Sequence, residues 1–232
     1  MEKMQPYTNL FIEKPSTQGR RFVVGDIHGC RKTFKSLLFK KFQLHPQDQL
    51  FLLGDYVNRG TDSLGVLQDI MELQTSGYQI FPLRGNHEQM LIEKLDRKEE
   101  SHYTSIVHQL DEKQGLWLNA LPYYYILDRF YLVHGAINTQ VENPLEDLQY
   151  MLWQRKTLNP SNFLQGKQLI YGHTKNKLTT IWEAIEDRLD CIPLDNGCYM
   201  GCQHRAPCPE EYGYLCGLDL DRWYLYVQKN ED

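Results

Sequence analysis

The sequence predicts a layered α/β protein, a central β-sandwich flanked by helices. Three observations carry this. The first half alternates short apolar strands with segments of helical period, and the second half is mostly strands. Strand after strand ends in a glycine beside a polar or charged residue. Neither Gly-x-Gly-x-x-Gly after the first strand nor a phosphate-binding Gly-x4-Gly-Lys loop is present, which argues against a dinucleotide-binding or nucleoside-triphosphatase fold. The 232 residues suffice for one large domain, and 41% hydrophobic with 24% charged residues is ordinary for a globular chain. A formal net charge of -5 leaves no basic footprint, so nucleic acid is not an expected partner. No apolar run approaches the ~18 residues of a membrane span, and Met1 to Pro6 does not read as a signal peptide. The expected setting is cytoplasmic, without membrane contact.

Residues 1–20, with Pro6, Pro15 and Gly19, read as a leader, and 21–232 as a single domain. Arg21-Phe22-Val23-Val24 is the first strand and runs into Gly25-Asp26-Ile27-His28-Gly29. Asp26 and His28 are two apart, so in extended backbone both would face one side. Phe34, Leu37, Leu38 and Phe42 then repeat at helical spacing. Gln49 to Leu53 is a strand ending in Gly54-Asp55-Tyr56-Val57-Asn58-Arg59-Gly60. The next helix is capped by Asp62 or Ser63, presents Leu64, Leu67, Ile70 and Met71, and stops at Gly77. Tyr78 to Leu83 is the third strand and ends in Arg84-Gly85-Asn86-His87-Glu88. Glu88 to Leu95 and Tyr103 to Leu118 are expected helices, with the charge cluster Lys94 to Glu100 between them.

After Pro122 the strands become aromatic: Tyr123 to Ile126, then Phe130 to Val133 ending in His134-Gly135-Ala136. Loops and short helices are expected over 137–166, around Met151-Leu152-Trp153-Gln154-Arg155. Gln168 to Tyr171 is a strand ending in Gly172-His173-Thr174, and Cys191 to Leu194 leads into Asp195-Asn196-Gly197. Tyr214 to Leu218 and Trp223 to Val227 form a hairpin about Asp221-Arg222. Five of the six cysteines fall late in the chain, two of them, Cys202 and Cys208, in an insertion near 200–214. Free thiols are the expectation for them; a zinc site on Cys202, His204 and Cys208 is the alternative.

Strands ending on one side of a sheet gather their polar ends in space. Asp26, His28, Asp55, Asn86, His134 and His173 together make a mixed nitrogen and oxygen donor set with no thiolate. Manganese suits it, with iron or zinc as alternatives. Asp26, His28 and Asp55 fill one site; Asp55, Asn86, His134 and His173 fill a second, with Asp55 shared. Two ions about 3.5–4 Å apart can share a water, lower its pKa and neutralise phosphoryl oxygens. His87 is placed to protonate a leaving oxygen, Glu88 to support the site from behind, and Arg59 and Arg155 to clamp phosphate. A lone histidine usually has no such role, and His45, His102, His108 and His204 read that way. Asp195 reads either as a turn former or as a group that orients a ligand histidine.

These motifs resemble the metal-dependent phosphoprotein phosphatases within the calcineurin-like phosphoesterases. The resemblance rests on Gly25 to Gly29, Gly54 to Gly60, Gly85 to Glu88, His134 to Ala136 and Gly172 to Thr174. Leu152 to Arg155 and Leu194 to Cys198 resemble the family's second arginine and closing motif. It implies a metallophosphoesterase-type sandwich, a dinuclear centre of divalent ions and direct attack by a metal-bridging hydroxide, with no phosphoenzyme. The compact length is similar to that of bacterial and phage serine/threonine phosphatases and bacterial bis(nucleosyl)-tetraphosphatases. One departure is Asn58, where the family pattern has an aspartate beside the catalytic histidine; slow turnover with intact metal binding is the consequence. The expected substrate is a phosphorylated protein (serine/threonine, also tyrosine) or a small phosphoester. A bis(nucleosyl)-tetraphosphatase and an impaired phosphoprotein-binding module are the alternatives.

Overall fold

The computed structural model describes residues 19–97, 104–202 and 210–232. Most of the leader, part of the charge cluster, and His204 and Cys208 with part of the insertion lie outside the described residues, so the zinc alternative on Cys202, His204 and Cys208 does too. Two sheets form the centre. The first takes β1 (Arg21–Val24), β2 (Gln49–Leu52), β3 (Gln79–Pro82), β8 (Tyr214–Asp219) and β9 (Tyr224–Lys229), in the order β3-β2-β1-β8-β9. The second takes β4 (Tyr124–Ile126), β5 (Phe130–Val133), β6 (Gln168–Tyr171) and β7 (Cys191–Pro193), in that order.

The two-residue period of the strands sorts their side chains between layers. Phe22, Val24, Leu50 and Leu52 face one core with Phe34, Leu38, Val66, Leu67, Ile70 and Leu91. These come from α1 (Arg31–Ser36) with the π-helical turn Leu37–Phe42 that continues it, α2 (Ser63–Thr75) and α3 (Asn86–Arg97). Val23 and Phe51 face the opposite way, into a second core with Phe130, Leu132, Ile170 and Ile192 of the other sheet. The outer face of that sheet, through Tyr124, Val133 and Leu169, meets Met151 and Leu164. Those two lie on α6 (Leu148–Trp153) and α7 (Ser161–Leu164), introduced after the short α4 (Thr104–Val107) and α5 (Glu112–Asn119). The layers are therefore helix, sheet, sheet, helix, as the sequence predicts.

β1, β2 and β3 run parallel with Val24, Leu52 and Pro82 level with one another. β5, β6 and β7 do the same at Val133, Tyr171 and Pro193. Six strand ends are thus aligned in two groups, and the loops after them build the site.

Three expectations need correction. The helix predicted over 103–118 is two, because Asp111 and Gln114 form a reciprocal capping box that starts α5 afresh. α3 begins at Asn86, so Asn86 and His87 stand on its first turn. And α8 (Leu178–Glu186) was not expected, although Ile181 and Ile185 form a buried stripe at helical spacing. Asp62 caps α2 as expected, accepting from the Gly65 amide at 2.8 Å. Among the described residues no helix is long and apolar enough to cross a membrane. Cys30, Cys191, Cys198 and Cys216 are free thiols.

Candidate metal centre

The loop after β1 does not stay extended: His28 has φ +49°, so Asp26 and His28 do not simply share a face. Asp55 at φ +54° and His173 at φ +63° are also left-handed, which is unfavourable for residues with a β-carbon and is characteristic of functional turns. Hydrogen bonds hold these turns in place. The amides of Ile27 and His28 both donate to the Asp55 carbonyl, at 3.2 and 2.8 Å. The Glu88 carboxylate, fully buried, accepts from the amides of Asp55 at 2.7 Å, Tyr56 at 2.8 Å and Gly85 at 3.0 Å. Glu88 thereby ties the end of β2 to the start of α3.

Asp55 stands between two groups of donors. Its Oδ2 lies 3.5 Å from His28 Nε2 and 3.9 Å from His87 Nε2, whereas its Oδ1 lies 3.4 Å from His134 Nε2. Asn86 Oδ1 lies 2.9 Å from both His134 Nε2 and His173 Nδ1. The ligand atoms of His28, Asp55 and His87 lie within 4.8 Å of one another, as do those of Asp55, His134 and His173. Asp26 is buried beside them, and its carboxylate accepts from the His173 amide at 3.0 Å.

Ring orientation is set by main-chain carbonyls. His28 Nδ1 lies 3.0 Å from the Val57 carbonyl and His134 Nδ1 2.9 Å from that of Leu53, which leaves each Nε2 facing Asp55. Asp195 is not hydrogen-bonded to a ligand histidine; it accepts from the Gly197 amide at 2.7 Å and lines the cavity. Of its two sequence readings, the turn former is the one seen.

Electrostatics shows that the cluster wants positive charge. Burial, with the neighbouring carboxylates, raises Asp26 well above its usual range. Burial pushes Asp55 and Glu88 up to about 8 and Asp195 to about 6. Burial also lowers His134 and His173 to about 4 and His28 well below its normal value. Neutral imidazoles and crowded carboxylates that cannot all ionise alone are what divalent cations satisfy. The donor set therefore fits two such ions.

His87 is pushed down to about 3, first by burial and then by the charge of Arg59. Its Nδ1 lies 2.9 Å from the Asn58 amide nitrogen, and its Nε2 lies 3.4 Å from Arg59 Nη2. Arg59 and Arg155 both line the cavity of about 340 Å³ that opens over Asp55, Asn86 and His173. A second cavity of about 520 Å³, lined by Asn58, Gly60, Ser63, Leu64 and Ile106, shares Arg59 and His87 with it. Lys175 and Tyr199, which the sequence reading passed over, also line the first cavity. The signal for Lys175 was its place two residues beyond His173; nothing local marked Tyr199.

A family model of calcineurin-like phosphoesterases matches residues 19–192. The chain belongs to that family. It is 36% identical over 172 residues to a symmetrical bis(5'-nucleosyl)-tetraphosphatase of Wigglesworthia glossinidia brevipalpis, covering 70% of this chain and 60% of that one. It is 35% identical over 176 residues to the enzyme of that name from Buchnera aphidicola, covering 73% and 62%. The chain thus spans about three-fifths of the length of these relatives. Among solved structures, one proposed to be a diadenosine tetraphosphatase superposes with a TM-score of 0.71 at 18% identity, covering 97% of this chain and all of that one, 100%. A cold-active protein-tyrosine phosphatase of a Shewanella species gives 0.65 at 15% identity, covering 97% and 83%. At such identities the structural likeness speaks for the fold alone.

Proposed function

We propose that the protein is a metal-dependent hydrolase that cleaves dinucleoside tetraphosphates at a centre of two divalent ions. The observation that carries the dinuclear reading is Asp55, whose two carboxylate oxygens face separate donor groups. The tetraphosphate reading is supported by the curated relatives, which bear that name at 35–36% identity. It displaces the protein phosphatase as first choice; that second reading keeps the support of phosphatase neighbours in fold. The paired cavities favour the tetraphosphate reading, because a dinucleotide needs room on both sides of the reacting phosphorus.

His28 and Asp55 would hold one ion together with Asp26; Asp55, Asn86, His134 and His173 would hold the other. Bound there, divalent ions such as manganese, iron or zinc activate water and offset phosphoryl charge. The protein supplies the rest. Arg59 and Arg155 grip non-bridging oxygens, since a planar guanidinium matches two of them. His87 Nε2 faces the shared wall of the two cavities, where a departing oxygen can take its proton.

The test is a panel assay with manganese on diadenosine tetraphosphate, phosphopeptides and p-nitrophenyl phosphate, with products resolved by chromatography. Tetraphosphate cleavage with a kcat/KM at least about tenfold above the others is expected, a margin of about 1.4 kcal/mol. Phosphopeptide turnover with the tetraphosphate left intact would transfer the assignment to the second reading.

A further inference from the structure

Lys175 leaves the end of β6 and reaches the rim of the metal cavity. Its ammonium lies 3.0 Å from the Tyr199 hydroxyl and 5.6 Å from the ring centroid. Arg59 Nη1 donates to the same hydroxyl at 2.8 Å, with its guanidinium carbon 4.8 Å from the ring centroid. Tyr199 is only 8% exposed and its ring stands edge-on to His28, so the phenol is a fixed point. It gathers two cations that would otherwise repel. The lysine stem is seated as well. A β-carbon on Gly197, at φ +71°, would come within 3.1 Å of Lys175 Cδ and 2.9 Å of Met200 Sδ. A lysine ammonium has three donors, and Tyr199 takes one. Among the described residues Lys175 makes no direct ion pair with a carboxylate, and its charge acts at longer range on Asp195, which lines the same cavity.

An attacked phosphoryl group has few non-bridging oxygens, and two ions with Arg59 and Arg155 already answer them. A further cation is surplus for a monoester but not for a chain of phosphates, where each internal group adds a charge. We propose that Lys175, positioned by Tyr199 beside Arg59, binds a phosphoryl group adjacent to the one attacked, and so selects phosphate chains over isolated phosphomonoesters. Which chain is cleaved rests on the function proposed above; the clamp itself requires only two linked phosphoryl groups.

The experiment compares binding of methylenediphosphonate and orthophosphate to the full chain in excess manganese, by calorimetry. Lys175→Met should weaken the diphosphonate about tenfold and orthophosphate less than about twofold, a difference of one charge-assisted contact. Lys175→Arg should recover most of the loss. Tyr199→Phe, which keeps the ring and removes the hydroxyl, should fall between. Equal weakening of both ligands, or of neither, overturns the clamp. Cleavage of diadenosine tetraphosphate by the unaltered chain is scored separately. Its absence alongside a selective loss in Lys175→Met removes the substrate reading and leaves the clamp standing.

Discussion

At Asn58 an amide meets His87 Nδ1 at 2.9 Å, where the family pattern places a carboxylate. An asparagine donates to an unprotonated Nδ1 or, turned over, accepts from a protonated one; an aspartate only accepts, and so favours the imidazolium. Burial and Arg59 already hold His87 at about 3, so its proton-donating form is scarce near neutral pH. Asn58→Asp should raise the His87 pKa, lift kcat by about 10–100-fold and move the alkaline limb of the pH profile upward. Superimposable profiles for the two proteins would remove His87 as the acid. The donors themselves were legible because each follows an apolar strand. Their orientation was not: the Val57 and Leu53 carbonyls that aim His28 and His134 carry no residue identity.

Elements meet closely at the junction of β2 and α3. A β-carbon on Gly85 would collide with Asp55 Oδ1 and lie 2.8 Å from Glu88 Oε2. Gly85→Ala should therefore displace the shared ligand, and elemental analysis should find at least one ion fewer per chain with the far-ultraviolet circular dichroism retained. Full metal content would show that the junction yields without moving Asp55. The strands were readable from their apolar runs and terminal glycines. The break between α4 and α5 was not, because Asp111 looks like an ordinary surface residue until Gln114 reciprocates. Leu178, Ile181, Trp182 and Ile185 did spell out α8 at helical spacing.

Across the whole molecule the two sheets are joined by Arg21, whose guanidinium is 1% exposed and pairs with Asp128 at 2.7 Å and Asp221 at 2.7 Å. Asp128 sits in the β4–β5 turn and Asp221 in the β8–β9 turn, so one side chain links both sheets. Arg21→Met should cost about 1–2 kcal/mol in urea unfolding, since it removes two ion pairs whose carboxylates are partly exposed and screened by solvent. Such a link, 107 and 200 residues apart in sequence, is invisible before the fold is known.

Stability should also follow the metal centre. Asp55 and Glu88 titrate near 8 when folded, against about 4 unfolded. Below about 6.5 the buried neutral histidines hold fewer protons than they do unfolded and offset this, so the metal-free fold holds the excess, and loses stability with rising pH, between about 6.5 and 8. Divalent ions replace those protons, and the gain in Tm on adding manganese should be larger at pH 8 than at pH 5. An equal gain at both would mean that Asp55 lies outside the binding site.

Asp55, as the ligand shared by two ions, is what a dinuclear centre here depends on most. Metal content per chain after manganese loading and removal of free ion, read by elemental analysis against protein concentration, tests this directly. Two ions per chain, falling to one or fewer in Asp55→Ala, is the predicted result. A single ion in the unaltered protein, or two retained without Asp55, would contradict it.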